Sequence, residues 1–215
     1  MGSTLTRVGS GILPYLSDLN RRLDAGELRT HEPTAEEQQA EAEAAWLDAW
    51  RATVPGRWCR LVEELDAGEI PKFDWYKIYT ARWHARRRGD SGIVFGSTNS
   101  GKSVAAAACL RGDAEKGRSI AWLSATSIPR LVDARSPQLA EARYPAVLVL
   151  DEVGSLLDAP WRYWVEVDGL VKDRYALDRS TLMLTTSTPK QTAARFGPEV
   201  IRRFPEPLRV VAKED

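Results

Sequence analysis

The eight residues GSTNSGKS, 96 to 103, restrict this chain more than any other stretch. They satisfy G-x-x-x-x-G-K-[ST], with the apolar run GIVF in front and the alanine-rich run VAAAACL behind. A strand that enters such a loop and a helix that leaves it form the context in which backbone wraps phosphates. Gly96 and Gly101 let the chain curl, so that the N–H groups across Ser97, Thr98, Asn99 and Ser100 face a β-phosphate. The helix expected from Lys102 adds the positive end of its dipole. Lys102 would reach the β- and γ-phosphates of ATP. Ser103 would give a hydroxyl to Mg²⁺, an ion that takes few protein ligands and keeps its waters. A Gly/Ser-rich turn that fits the pattern by accident is the competing reading, and the flanking runs count against it.

A second stretch strengthens the first. AVLVLDEVG is an apolar strand ending in Asp151 and Glu152. At the carboxyl end of a strand beside the phosphate loop, Asp151 is placed to hold the Mg²⁺ shell. Glu152 is placed to orient or deprotonate an attacking water. Alone, an Asp-Glu pair after a strand reads as a solvated turn; with Lys102 upstream, the pair implies hydrolysis.

Around these motifs the text from Ser91 alternates short apolar runs with helical stretches. GIVFG, SIAWLSA, AVLVLD, TLMLTTS and LRVV read as strands, and four of them suit a sheet buried on both faces. Strands alternating with crossover helices predict an α/β fold with a five-stranded parallel sheet. GKSVAAAACLRGDAEKG, SIPRLVDARSPQLAEAR, APWRYWVEVDGLVKDRYALD and PKQTAARFGPEVIRRF are the expected crossovers. Ahead of the sheet, residues 1–32 read as a flexible or partly helical arm and 33–88 as a small helical region. Thr34 with Glu37 three residues on makes a capping box, and Trp46 and Trp50 share a helix face. With 30 basic and 30 acidic residues among 215, no global charge announces a polyanionic partner. Cys59 and Cys109 stand far apart, and the only histidines are His31 and His84, so neither a disulfide framework nor a zinc site is expected. No apolar run approaches the roughly 18 residues that a membrane span needs, and a reducing cytoplasm fits best.

The order of these pieces resembles the AAA+ ATPases, and within them the DnaC/IstB group of helicase loaders and transposition helpers. The resemblance covers roughly residues 91 to 211 and is carried by GSTNSGKS, VLVLDEVG and DRYALDRSTLMLTTSTP. It implies a P-loop ATPase core over 89–215. In that comparison Thr188 stands where the family has a polar sensor touching the γ-phosphate and the water. In FGPEVIRRF the resemblance makes Arg203, with Arg202 beside it, an arginine that acts at a neighbouring subunit's γ-phosphate. Self-association through the core is therefore implied. The chain stops soon after LRVV, so the C-terminal helical lid of many such proteins is expected to be absent. Asn99 replaces a common glycine and tolerates a left-handed backbone.

ARWHARRR sets Arg82, Trp83, Arg86, Arg87 and Arg88 just ahead of the core, a mixture that suits single-stranded DNA. A helix end whose arginines complement its dipole explains it equally well. Trp46, Trp50, Trp58 and Trp75 read as packing, whereas Trp161 and Trp164 either pack or form a partner surface. The resemblance implies a loader of the replicative DNA helicase, with 33–88 as the partner-binding part. An IstB-like transposition helper and a weakly hydrolysing ATP-switch adaptor are the alternatives, and a small-metabolite kinase is a weaker one.

Overall fold

The computed structural model describes residues 33–69, 74–156 and 158–212. Packing divides the chain into two units, residues 1–42 and 43–215. In the first, Thr34 and Glu37 form the expected capping box: Thr34 N–H donates to Glu37 Oε2 at 2.8 Å, and Glu37 N–H to Thr34 Oγ1 at 3.2 Å. This box opens helix α1, Ala35–Thr53. Helices α2 (Gly56–Ala67) and α3 (Asp74–Ala85) belong to the second unit, and Gly68 ends α2 in the left-handed region at φ 78°.

The second unit is built on a five-stranded, wholly parallel sheet, as the alternating pattern predicts. Its strands are β1 (Gly92–Phe95), β2 (Ile120–Ser124), β3 (Val147–Asp151), β4 (Ser180–Thr185) and β5 (Arg209–Val211), in the order β2-β3-β4-β1-β5. Helix α4 (Lys102–Ala114) links β1 to β2. Helices α5 (Ile128–Asp133) and α6 (Pro137–Glu141) link β2 to β3, and α7 (Trp161–Ala176) links β3 to β4. Helices α8 (Pro189–Phe196) and α9 (Pro198–Ile201) precede β5.

Both faces of the sheet are covered, and the two-residue period of a strand sorts its side chains between them. Ile93, Phe95, Leu148, Leu150 and Met183 belong to one core cluster with residues of α5 to α9. Val94, Val147, Val149, Leu182 and Leu184 belong to another with Trp50, Val62, Trp83 and Leu110. Each such fully buried side chain contributes about 1.5–3 kcal/mol relative to exposure. The run VLVLD is therefore apolar without alternation because neither face meets water.

Two expected crossovers are broken. SIPRLVDARSPQLAEAR makes two short helices, because Arg135 takes φ 50° and Pro137 cannot extend a helix from before it. Gly197 at φ 77°, followed by Pro198, divides the last crossover into α8 and α9. Packing is also continuous across residue 88. Trp50 donates its indole N–H to Ala107 O of α4 at 2.9 Å, so the helices from residue 43 share the sheet's core. Trp164 is 2% exposed and meets Phe196 edge-on at 4.7 Å, whereas Trp161 is 62% exposed.

A basic stretch was expected at ARWHARRR, and the structure takes two of its residues inside. Trp83 is wholly buried and donates its indole N–H to Asp113 Oδ2 at 2.9 Å. The Arg86 side chain, 1% exposed, pairs with the same carboxylate at 2.9 Å and lies 3.7 Å over the Trp83 ring. A buried guanidinium needs a buried anion, and Asp113 supplies it, so neither residue is available to DNA. Arg82, Arg87 and Arg88 are exposed. Among the described residues no helix is long and apolar enough to cross a membrane.

Candidate nucleotide site

The phosphate-loop residues sit between the end of β1 and the start of α4. Asn99 takes φ 68° and Gly101 φ 79°, two left-handed turns that curl the loop back on itself. The substitution of Asn for glycine at 99 is thereby accommodated, since asparagine enters that region at low cost. Lys102 is the first residue of α4 and only 8% exposed. Its ammonium donates to Gly96 O at 2.9 Å, to Ser97 O and to Ser100 Oγ at 3.3 Å, so the cation lies in the bowl of the loop.

The sheet brings the second motif to the same edge. Ser103 Oγ donates to Asp151 Oδ2 at 3.1 Å, across 48 residues of sequence. Asp151 is 6% exposed, and burial raises its pKa above the usual aspartate value, with Glu152 adding to the shift and the Ser103 hydrogen bond opposing it. A hydroxyl and a buried carboxylate in contact fit the protein side of a Mg²⁺ shell, with phosphate and water filling the rest. Among the described residues no group of three or more His, Cys, Asp or Glu gathers as a metal cage, which also suits an ion held mainly by phosphate.

Glu152 follows at φ 59°. Its own N–H donates to Asp151 Oδ1 at 2.8 Å, and its Oε2 accepts from Ser124 Oγ at 2.9 Å. Ser124, the last residue of β2, pairs in register with Asp151 of β3. The motif reading did not include it; its position at the carboxyl end of the neighbouring strand was the signal that could have found it. The left-handed turn at Glu152 leads to Gly154, where a Cβ would lie 2.7 Å from Thr186 Oγ1 and 2.9 Å from Ser187 Oγ. Glycine thus lets the Asp-Glu turn press against the exit of β4.

Lys102, Ser103, Asp151 and Glu152 line one cavity of about 470 Å³, together with Thr98, Asn99 and Thr186. Its lining also includes Arg57, Trp58, Leu61 and Leu65 of α2 and Tyr76 of α3. Thr188 does not line it. Strand β4 ends at Thr185, and Thr188 is the exposed N-cap of α8, its hydroxyl accepting from Gln191 N–H at 3.2 Å. The hydroxyl residues at the cavity here are Thr185, the last residue of β4, and Thr186 just beyond it, two to three positions earlier. Arg203 also lies outside this cavity; its guanidinium is 5.0 Å over the Tyr175 ring, and its Nη1 is buried without a hydrogen-bond partner among the described residues.

Comparison with known proteins matches this fold to replication proteins. DnaA bound to AMPPCP and single-stranded DNA superposes with a TM-score of 0.55 at 16% identity, over 69% of this chain and 49% of that one. The chain thus spans about half the length of that protein. A DnaC helicase loader superposes with a TM-score of 0.53 at 21% identity, covering 67% of this chain and 93% of that one. DnaI superposes with a TM-score of 0.52 at 19% identity, over 64% and 79%. No family model matches the sequence, and no curated protein matches it. The fold is that of the P-loop AAA+ ATPases.

Proposed function

We propose that this chain binds and hydrolyses ATP and uses the nucleotide state to load a replicative helicase onto single-stranded DNA. The observation that supports it most is the meeting of Lys102, Ser103, Asp151 and Glu152 on one cavity in an AAA+ fold. Lys102 withdraws from its own loop carbonyls to meet phosphate oxygens, which are stronger partners for an ammonium. Ser103 and Asp151 would hold Mg²⁺, whose charge would stabilise that developing on the phosphates. Glu152 accepts the proton of a water or orients it, and Thr186 provides the polar contact that the sequence had placed at Thr188. Arg203 serves a neighbouring copy of the chain, since its own cavity lies elsewhere. Similar folds in DnaC, DnaI and single-stranded DNA-bound DnaA favour replication over other uses of the motor. The exposed Arg82, Arg87 and Arg88 are the residues of the basic stretch left to meet DNA.

The test is capture of the host's replicative helicase by the intact chain, with ATP and with ADP. Nucleotide-dependent capture is the expected result. Capture of a transposase, with none of the helicase, would replace the loader with the transposition helper. A switch that barely hydrolyses is a second reading. It is favoured by the Ser124 hydrogen bond, which occupies one oxygen of Glu152.

A further inference from the structure

All five strands run the same way, so every segment that enters a strand meets one edge of the sheet, and the phosphate loop lies at the other. The two edges differ in charge. The entering segments, 86–91, 115–119, 142–146, 177–179 and 202–208, hold nine arginines and lysines against four carboxylates, in a chain whose net charge is zero. The segments that leave β1 to β4, 96–101, 125–127, 152–160 and 186–188, hold no cation and two carboxylates, Glu152 and Asp158. Helix ends gather at the entering edge, and their partial negative charge explains some of its cations. Arg86, for one, donates to Trp83 O at 2.8 Å and pairs with Asp113. Arg87, Arg88 and Arg179 have no such role. The first two are exposed and the third half-buried, and among the described residues their side chains make no hydrogen bond or ion pair.

The fold sets these three side by side. Strand β4 lies next to β1, Thr181 N–H donates to Ser91 Oγ at 2.9 Å, and a Cβ on Gly89 would collide with the Asp178 carboxyl. On the other side of the β4 entry, Ser180 N–H donates to Ala146 O at 3.0 Å, which brings Tyr144, 65% exposed, to the same edge. Beneath them the buried Arg174 donates to Arg143 O, Pro145 O and Ser180 O and meets no carboxylate among the described residues, so its charge adds to the potential above it. Arginines without partners beside an exposed ring suit a single strand, whose phosphates take the guanidinium groups and whose bases stack on the ring. We propose that the entering edge of the sheet is a contact surface for single-stranded DNA, with Arg87, Arg88 and Arg179 on its phosphates and Tyr144 against a base. This rests on the reading of the chain as a DNA-handling ATPase and adds Arg179 and Tyr144 to it. Strand and nucleotide then occupy opposite edges, and bound DNA leaves the phosphate loop open to ATP.

Fluorescence anisotropy of a labelled oligothymidine of about 16 nucleotides reads the affinity of the full chain across salt concentrations, with and without Mg²⁺·ATP. Wild-type affinity should fall steeply with salt, each phosphate contact adding about 0.7 to the slope of log affinity against log salt. Arg179→Gln should lower that slope by about 0.7, and Arg87→Gln combined with Arg88→Gln by about 1.4. Arg179→Lys, which keeps the charge, should keep the slope. Tyr144→Ala should weaken binding about fivefold or more with the slope unchanged, as loss of one stacked base does. ATP affinity should be the same in all of these variants. Wild type that binds the strand, with the variants indistinguishable from it, would overturn the entering edge and leave DNA handling standing. A preference for duplex of the same length, with Tyr144→Ala silent, would overturn the single strand as the occupant. Wild type that binds no DNA would overturn both readings.

Discussion

At Glu152 the backbone enters the left-handed region at φ 59°, which costs a non-glycine residue about 1 kcal/mol or more. Two hydrogen bonds hold it there, from its own N–H to Asp151 and from Ser124 to its carboxylate. Removing the second would free the oxygen to which the proposed function gives the attacking water. Ser124→Ala is therefore expected to raise basal ATP turnover severalfold while leaving nucleotide affinity unchanged, measured as steady-state phosphate release. Asp151 carries a different consequence. Its folded pKa is raised, mainly by burial, so its charge costs stability above that pKa, and the cost disappears as pH falls through it. At neutral pH, Asp151→Asn should melt at the same or a higher temperature than wild type and should lose the Mg²⁺ dependence of ATP binding. If Asp151 holds Mg²⁺ as proposed, protons compete with the ion for this carboxylate, so in wild type that dependence should fade on acidification at a higher pH than an ordinary aspartate allows. Titrations of ATP with and without Mg²⁺ across pH, alongside melting curves, check both.

Among the elements, α3 and α4 are joined by one carboxylate. Asp113 is wholly buried and accepts from Trp83, from Arg86 at 2.9 and 3.1 Å, and from Arg118 at 2.7 Å. Asp113→Ala leaves a buried guanidinium and an indole N–H unpaired, and is expected to cost about 3–5 kcal/mol in denaturant unfolding. The sequence showed the helix and the basic run but not this pairing, because the partners are about 30 residues apart and each alone reads as a surface charge. Arg174 was equally hidden: fully buried, it donates to Thr181 Oγ1 and to carbonyls including Ala142 O at 2.8 Å and Pro145 O at 3.0 Å. Burial pushes its pKa down to about 9, which still leaves it charged at neutral pH. What was legible were features set locally. The five strands follow from apolar runs buried on both faces, and the phosphate loop from glycine spacing. Thr188 caps α8 and does not line the cavity, whereas Thr185 and Thr186 do; the polar run TTST offers four hydroxyls in a row, and only the strand's end decides which of them face the cavity.

Across the whole second unit, sheet and helices form a single packing problem. The β1 and β4 strands place the loop, and residues of α2 line the same cavity. A border near residue 88 was the natural reading from the change in punctuation, yet Trp50, Val62 and Trp83 pack with Val94 and Leu184 in one cluster. Composition marks where element types change, whereas packing follows which faces need covering. The most direct test of the account is steady-state ATP hydrolysis by the intact chain, Lys102→Ala and Glu152→Gln, each with and without single-stranded DNA. The account predicts turnover in wild type, loss of ATP binding in Lys102→Ala, and retained binding with turnover reduced about a hundredfold or more in Glu152→Gln, the usual weight of a general base. Turnover unchanged in Glu152→Gln, or ATP binding unchanged in Lys102→Ala, would contradict it.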